Sequence, residues 1–91
     1  MTTKQTTVIN ETGIHARPAS NLINQAKHYQ SKITIRNVSR EGTLAVNAKS
    51  IAMVLSIAAG KGMKVEIAAE GADELQAVEE LTDFISAGLG E

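Results

Sequence analysis

The sequence predicts an α+β domain in which helices cover one face of an antiparallel sheet. The period of the apolar residues changes several times along the 91 residues, and the resulting order of elements is β-α-β-β-α-β-α. Short strands joined through a hairpin favour antiparallel pairing. Three helices are too few to cover both faces of a sheet, so one face is expected to stay open. The length and the absence of a linker indicate a single domain over residues 1–91.

The first strand and the first helix lie in the N-terminal third of the chain. β-Branched residues predict a strand over 5–10, followed by a glycine-containing loop. From Ala16 the apolar residues recur at the spacing of one helical face, and the pattern ends near Tyr29 or Gln30. Pro18 fits the first turn of this helix because an N–H there would have no intrahelical acceptor. The residues expected to be buried on this helix are Ala19, Leu22, Ile23, Ala26 and Tyr29.

The middle of the chain predicts a hairpin. Residues 32–37 alternate strictly between polar and apolar side chains, which is typical of a half-exposed strand. A polar connection over 38–42, closed by Gly42, leads to a second short strand over 43–47.

A short helix, a strand and a longer helix complete the chain. Ser50 is a favoured N-cap residue and precedes an apolar run, which predicts a helix over 51–59. Alternation resumes over 63–69 and predicts a strand that Gly71 ends. The last helix, of about 13–15 residues, has an apolar face formed by Leu75, Val78, Leu81 and Ile85.

The composition excludes several classes of protein and site. The chain has no cysteine, which excludes disulfide scaffolds, thiol nucleophiles and cysteine-ligated metals. Only two aromatic residues and a formal net charge of −1 argue against nucleic-acid binding. His15 and His28 lie far apart with no acidic set around them, so neither a metal site nor a cofactor is expected. A polar N-terminus and the lack of a long apolar run predict a cytoplasmic protein without membrane insertion.

Charge is distributed unevenly along the chain. Residues 1–50 carry seven basic and two acidic groups, a net of +5, whereas residues 51–91 carry two basic and eight acidic groups, a net of −6. A positive region on a nearly neutral protein suits an anionic ligand or an acidic partner.

One segment, GIHARPAS over residues 13–20, combines side chains of complementary chemistry. His15 is expected where the first helix opens, and the free N–H groups and the helix dipole make that place positive. Arg17 adds a permanent cation, and positive surroundings favour a neutral imidazole, whose lone pair is a nucleophile. The same N–H groups and Arg17 suit the oxygens of an attached phosphate. Taken alone, a histidine at a helix start is also compatible with a capping or surface role.

GIHARPAS resembles the active-site motif of the histidine-containing phosphocarrier protein (HPr) family of the bacterial phosphoenolpyruvate-dependent sugar phosphotransferase system. VNAKSI over 46–51 is similar to the family's second motif, and AAGKG and EGADE fit its later part, so the resemblance spans nearly the whole chain. It implies an open-faced β-sandwich, with a four-stranded antiparallel sheet and three helices on one face. It also implies that His15 accepts a phosphoryl group on Nδ1 from phosphorylated enzyme I and passes it to enzyme II A domains. Arg17 would stabilise the phosphate, and the chain would be a covalent relay, not an enzyme.

Ser50 is the second residue to which the resemblance assigns a role. In some relatives the matching serine is phosphorylated by an ATP-dependent HPr kinase/phosphorylase, and the phosphorylated form can act on a transcriptional regulator. A phosphate at Ser50 would bring negative charge near the surface that docks enzyme I and would weaken its approach. The alternative is an ordinary N-cap serine without a regulatory role.

Partner binding is expected on the helix after Ser50 and on the first helix. The run 51–55 is apolar almost all round, and so short a helix cannot bury every face, although Val54 and Ile57 are assigned to the core. The order Ile-Ala-Met departs from the family's usual Ile-Met-Gly, and the loop 38–42 is longer than is typical, which leaves partner affinity and kinase recognition open. The residues expected to contact partners are Ala16, Ser20, Lys27, Ile51, Ala52, Met53 and Leu55.

Two further functions stay open. A nitrogen-type paralogue would feed a regulatory phosphorelay instead of sugar uptake. A regulatory module would work mainly through its Ser50-phosphorylated form, although the presence of His15 argues against this as the sole role. A monomer is expected, because a carrier presents the same face to successive partners.

Overall fold

The computed structural model describes all 91 residues and contains four strands and three helices. The strands are β1 (Thr2–Thr7), β2 (Lys32–Asn37), β3 (Val46–Asn47) and β4 (Lys64–Glu70), and the helices are α1 (Ala16–Ala26), α2 (Ile51–Ser56) and α3 (Glu74–Ser86). The strands lie in the order β1-β4-β2-β3, and every neighbouring pair is antiparallel. The predicted α+β class and the open-faced β-sandwich architecture are confirmed.

The helices cover one face of the sheet because alternate residues of the central strands are apolar. Ile33 and Ile35 on β2 and Val65 and Ile67 on β4 are buried, and the residues between them are only partly covered. All five positions predicted as the buried face of the first helix lie in the same core. The remaining helical residues of this core are Val54, Ala77, Val78, Leu81 and Ile85.

The opposite face of the sheet, the open face, carries polar and small side chains. Thr3, Ala68 and Thr34 lie side by side there, because they are register partners across β1, β4 and β2. Two residues away along β2 and β4, the register partners Arg36 and Glu66 form an ion pair of 3.5 Å on the same face. No helix covers these side chains, which agrees with the predicted number of layers.

β1 lies three residues before its predicted position. Its ladder with β4 runs from Thr2 to Thr7, so it consists entirely of polar residues. The prediction followed the apolar pair Val8 and Ile9, which comes after the ladder ends. The strand forms nevertheless because it pairs with β4, and Thr2 and Lys4 also bond to the carboxylates of Glu74 and Glu79 on α3.

β3 has two residues, whereas the prediction gave it the whole of 43–47. The hydroxyl of Thr43 donates to the carbonyl oxygens of Asn37 and Arg40, at 2.6 and 2.9 Å. These bonds fold the connection back on the end of β2 and keep Thr43 out of the ladder.

Both short helices end earlier than predicted. α1 ends at Ala26, although Tyr29 still reaches the core because its N–H bonds to the carbonyl of Ala26 in a following turn. α2 ends at Ser56, since Ala58 has a left-handed φ of 48° that no helix continues through. On α3 the prediction that Leu75 is buried is wrong: it lies in the first turn and is 70% exposed.

Asp73 ties α3 to the turn between α1 and β2. Although it is the N-cap residue of α3, its side chain makes no capping bond. The carboxylate instead accepts the N–H groups of Gln30 and Ser31, both at 2.9 Å, and the hydroxyl of Ser31. Lys49 holds the same turn from the other side by donating to the carbonyls of Tyr29 and Ser31. The hydrogen bond from the Ser31 hydroxyl, together with that from the Gln30 N–H, lowers the pKa of Asp73.

Replacing Ser31 by alanine is expected to destabilise the protein and to change how its stability depends on pH. The side chain is buried, and the loss of one hydrogen bond should lower Tm by about 4–8 °C in a domain of this size. Because Asp73 has a lowered pKa in the fold, its contribution is complete above the ordinary aspartate pKa and is lost as pH falls through the folded value. Thermal unfolding from pH 7 to pH 2 measures both effects.

The matched control is Ser86→Ala, because the exposed hydroxyl of Ser86 bonds only within its own helix, to the carbonyl of Asp83. Its Tm should stay close to that of the parent at every pH. An S31A variant that loses as much stability on acidification as the parent would show that this bond does not couple Asp73 to folding.

Candidate functional site

His15 stands at the N-cap position of α1 with its imidazole free. Its backbone is extended, with φ −141° and ψ 155°, and its side chain makes no capping hydrogen bond. The residue is exposed, and its N–H donates to the carbonyl of Gly13 at 3.1 Å. Both ring nitrogens are therefore open to an incoming group.

The loop before His15 is fixed against the residues that follow α2. The N–H of Ile14 donates to the carbonyl of Ala59 at 2.8 Å, and the Ile14 side chain is buried. Gly13 has φ 73°, and a Cβ atom at this position would lie 2.3 Å from the carbonyl oxygen of Ala59. Only glycine allows so close a contact. The loop that carries His15 is therefore fixed against the backbone of Ala59.

An ion pair at the surface also connects the His15 loop to the turn between α2 and β4. Lys61, in the turn before β4, lies 2.6 Å from the carboxylate of Glu11 in the His15 loop. The hydrogen bond and the charge of Lys61 lower the pKa of Glu11. The loop that carries His15 is thus connected to the α2–β4 turn by both backbone and side-chain contacts.

The first turn of α1 offers unpaired donors beside His15. The backbone N–H groups of Ala16 and Arg17 have no acceptor in the protein. Ala16 has a left-handed φ of 45°, which costs a non-glycine residue roughly 1–2 kcal/mol. Strained residues of this kind concentrate at functional sites. Sequence reasoning missed this strain, because alanine is an ordinary helical residue and carries no signal for a left-handed conformation.

The guanidinium of Arg17 lies at the surface of this turn. Its side chain is 78% exposed, and its one ion pair is with Glu91, at 3.9 Å. Ser20, one turn further along α1, and Lys27, at its C-cap, are also exposed. The first turn therefore combines free N–H groups and an exposed cation with an unbonded imidazole, an arrangement that can hold an anion.

α2 presents an apolar surface, which we call the α2 patch and define as Ile51, Ala52, Met53 and Leu55. All four residues are exposed, Ile51 and Met53 to 44% and 43%. Val54 and Ile57 are buried, so their assignment to the core is confirmed. So many exposed apolar side chains on one short helix are typical of a protein-binding surface.

Ser50 occupies the N-cap position of α2, as predicted, but its hydroxyl makes no capping hydrogen bond. The residue is partly exposed, and its carbonyl accepts the N–H of Val54. The hydroxyl is therefore free.

No three histidine, cysteine, aspartate or glutamate side chains are grouped so that they could hold a metal ion. Likewise, none of the helices has the length and apolar character needed to cross a bilayer.

Comparisons with known proteins agree with these features. The family model described as "PTS HPr component phosphorylation site" matches residues 2–87. The multiphosphoryl transfer protein of Haemophilus influenzae is 44% identical over 85 residues, which cover 93% of this chain and 17% of that protein. The phosphocarrier protein HPr of Treponema pallidum is 41% identical over 78 residues, 86% of this chain and 84% of that protein. The chain spans 17–22% of the length of the multiphosphoryl transfer proteins that it matches.

A solved structure extends the similarity to the whole fold. The crystal structure of HPr-C-His from Thermoanaerobacter tengcongensis superimposes with a TM-score of 0.88 and 35% identity, covering 100% of this chain and 98% of that one. The free imidazole, the rigid loop and the open first turn of α1 lie within the region matched by the family model. This chain therefore belongs to the HPr family of phosphocarriers of the phosphotransferase system.

Proposed function

We propose that His15 accepts a phosphoryl group from phosphorylated enzyme I and passes it to the A domains of sugar-specific enzymes II. The observation that carries this proposal is the exposed, unbonded imidazole of His15 at the opening of α1. In this role the chain is a covalent carrier whose turnover depends on catalysts at both ends of the relay. Family membership supports a role in the phosphotransferase system, and the named partners extend it.

The transfer needs a nucleophile and an anion site in one place. The lone pair of the His15 Nδ1 atom attacks phosphorus and a new N–P bond forms, while the bond from phosphorus to the phosphorylated group of the donor breaks and its electron pair returns to that group. The N–H groups of Ala16 and Arg17 and the Arg17 guanidinium then offer donors to the phosphoryl oxygens. The same exchange runs in the opposite sense when an acceptor protein attacks the phosphohistidine.

We propose that enzyme I and the A domains of enzymes II both dock on the α2 patch together with Ala16, Ser20 and Lys27. The patch supplies apolar contact, and the exposed side chains of Arg17 and Lys27 supply positive charge on the first helix. A partner with an apolar centre and acidic surroundings would suit this surface. We expect the chain to work as a monomer, because each partner needs the same face.

The test is to incubate the protein with phosphoenolpyruvate and enzyme I and to examine the product by phosphorus NMR. The expected product has one phosphoryl group on nitrogen, which acid releases and alkali leaves in place. An unphosphorylated protein, or a phosphoryl ester that resists acid, would contradict the proposal.

A second function, regulation at Ser50, is supported by the free hydroxyl at the start of α2. A phosphate there would lie next to the α2 patch and repel an acidic partner. The variant Ser50→Asp, which adds one negative charge, should raise the KM for phosphorylation by enzyme I roughly 2–5-fold, which corresponds to about 0.4–1 kcal/mol. Phosphorylation kinetics at several protein concentrations measure this effect.

The control for Ser50→Asp is Thr3→Asp, which adds the same charge on the open face of the sheet, away from α2. Incubation with ATP and an HPr kinase, with Ser50→Ala in parallel, examines whether the hydroxyl is a substrate. Equal KM values for the two aspartate variants would argue against electrostatic regulation at Ser50.

A further inference from the structure

A cavity of about 370 Å³ lies on the open face of the sheet, where β2 meets β3. Thr34 and Asn47, which are register partners across these two strands, both line it. Two basic residues line the same cavity, and no acidic residue does so. We call it the β2–β3 cavity, and its lining residues are Lys32, Ile33, Thr34, Ala45, Asn47 and Lys49.

The two lysines of this cavity occupy opposed positions on the two strands. The N–H of Ala48 donates to the carbonyl of Ile33 at 3.0 Å, which continues the register of β2 and β3 by one residue pair. The next pair in this register is Lys32 and Lys49. Like charges at opposed positions of an antiparallel pair repel each other, so this arrangement costs stability unless an anion lies between them.

No carboxylate of the protein neutralises Lys32. Glu70 is its register partner on β4, yet the two side chains form no ion pair. Two residues further along the same strands, Arg36 and Glu66 are also register partners and do form one. The ammonium group of Lys32 is exposed and remains available to a ligand in the cavity.

The other polar groups of the cavity also have donors to spare. The ammonium of Lys49 donates to the carbonyls of Tyr29 and Ser31, at 2.8 and 3.0 Å, which fixes its position and leaves one of its three N–H groups unused. The Oδ1 atom of Asn47 accepts the backbone N–H of Lys49, so the amide NH₂ group is unpaired. The hydroxyl of Thr34 is a further donor on the same face.

We infer that the β2–β3 cavity binds a small phosphate-bearing molecule, with the phosphate between Lys32 and Lys49. A phosphate dianion neutralises both lysines, and its oxygens point in several directions, which suits donors that come from two strands. The volume lies at the lower end of the range found for small-molecule sites. The cavity shares no residue with the first turn of α1 or with the α2 patch, so this inference does not rest on the proposed function of His15.

The test is an NMR titration of the protein with inorganic phosphate at constant ionic strength, in which backbone signals report where the anion binds. We expect saturable shifts at Thr34, Asn47 and Lys49 with a Kd of about 1–10 mM, as a few exposed charged contacts allow. The signals of Arg17 report phosphate binding at the first turn of α1 separately. Succinate, a dianion made of two planar carboxylates, should bind to the cavity roughly 3-fold more weakly.

Two variants and one control locate the phosphate within the cavity. Lys32→Gln should weaken binding about 2–5-fold and leave the fold intact, because the side chain is exposed and forms no ion pair. Asn47→Asp keeps the oxygen that accepts the Lys49 N–H but adds a negative charge, so binding should fall by at least about 5-fold. The control Lys64→Gln removes an exposed lysine at the other end of β4 and should retain the affinity of the parent.

Three results would overturn the inference. Equal loss of affinity in Lys32→Gln and Lys64→Gln would mean that phosphate responds only to the general charge of the sheet. Shifts confined to the first turn of α1 would place the anion there alone, and succinate binding as tight as that of phosphate would contradict the choice of ligand. None of these measurements needs enzyme I, so they are independent of whether His15 is phosphorylated.

Discussion

Replacing His15 by alanine is expected to abolish phosphorylation by enzyme I and phosphoenolpyruvate, reducing the label to background. The unbonded imidazole is the nucleophile at the free N–H groups of the first turn of α1, and a methyl group cannot form the N–P bond. Stability should change little, because the His15 side chain is exposed and makes no capping bond. Labelling kinetics and thermal unfolding of the same sample separate the two effects.

His28 provides the matched control. It is the other histidine of the chain, it is exposed, and it lies after the end of α1, away from the first turn. His28→Ala should therefore be labelled at the rate of the parent. Acid-labile phosphate on the His15→Ala protein would show that the acceptor lies elsewhere, whatever the similarity to the family.

Gly13→Ala is expected to produce the largest loss of stability among substitutions near the site. The new Cβ atom would lie 2.3 Å from the carbonyl oxygen of Ala59 and 2.7 Å from the Cα atom of Gly60, and both are backbone atoms that cannot turn aside. The left-handed φ of 73° adds strain for any residue with a Cβ atom. The free energy of unfolding should fall by about 2–5 kcal/mol, the sum of the two effects. Urea unfolding measures this change.

Gly42→Ala separates the clash from the backbone strain. Gly42 has a similar φ of 77°, but no atom lies within 4 Å of its added Cβ. The free energy of unfolding of Gly42→Ala should therefore fall only by the cost of the left-handed backbone, about 1–2 kcal/mol. Phosphorylation should also slow in Gly13→Ala, because relief of the clash requires the His15 loop to move from the α2–β4 turn. Equal stabilities of Gly13→Ala and Gly42→Ala would mean that the contact between the His15 loop and Ala59 rearranges at little cost and does not fix His15.

The sequence correctly predicted those elements whose buried residues recur with the period of a strand or a helix. β2 lies at its predicted bounds, and the five predicted core positions of the first helix are buried, because one face of each element meets the core. The prediction failed for β1, a polar strand whose position depends on pairing with β4. It also failed for Leu75, whose spacing fits the apolar face of α3 although the helix begins only one residue before it.

At the candidate site, the sequence identified the chemistry of the groups but not their contacts. GIHARPAS and Ser50 were found from residue type, spacing and resemblance. The left-handed φ of Ala16 and the free state of the Ser50 hydroxyl have no sequence signal. Asp73 is a similar case: it stands at the N-cap position of α3, yet its carboxylate bonds to Gln30 and Ser31.

The sequence by itself determined which elements form, which of their faces are apolar, and that an imidazole and a guanidinium occur together at the opening of a helix. These properties depend on residues only a few positions apart, and so period and spacing reveal them. Tertiary structure alone decided that Ala59 packs against Gly13, that Asn10 and Asn21 donate to the carbonyls of Gly88 and Leu89, and that Glu91 lies beside Arg17. Those contacts join residues some 45 to 80 positions apart, and the closure of such long loops is decided by the packing of the whole core.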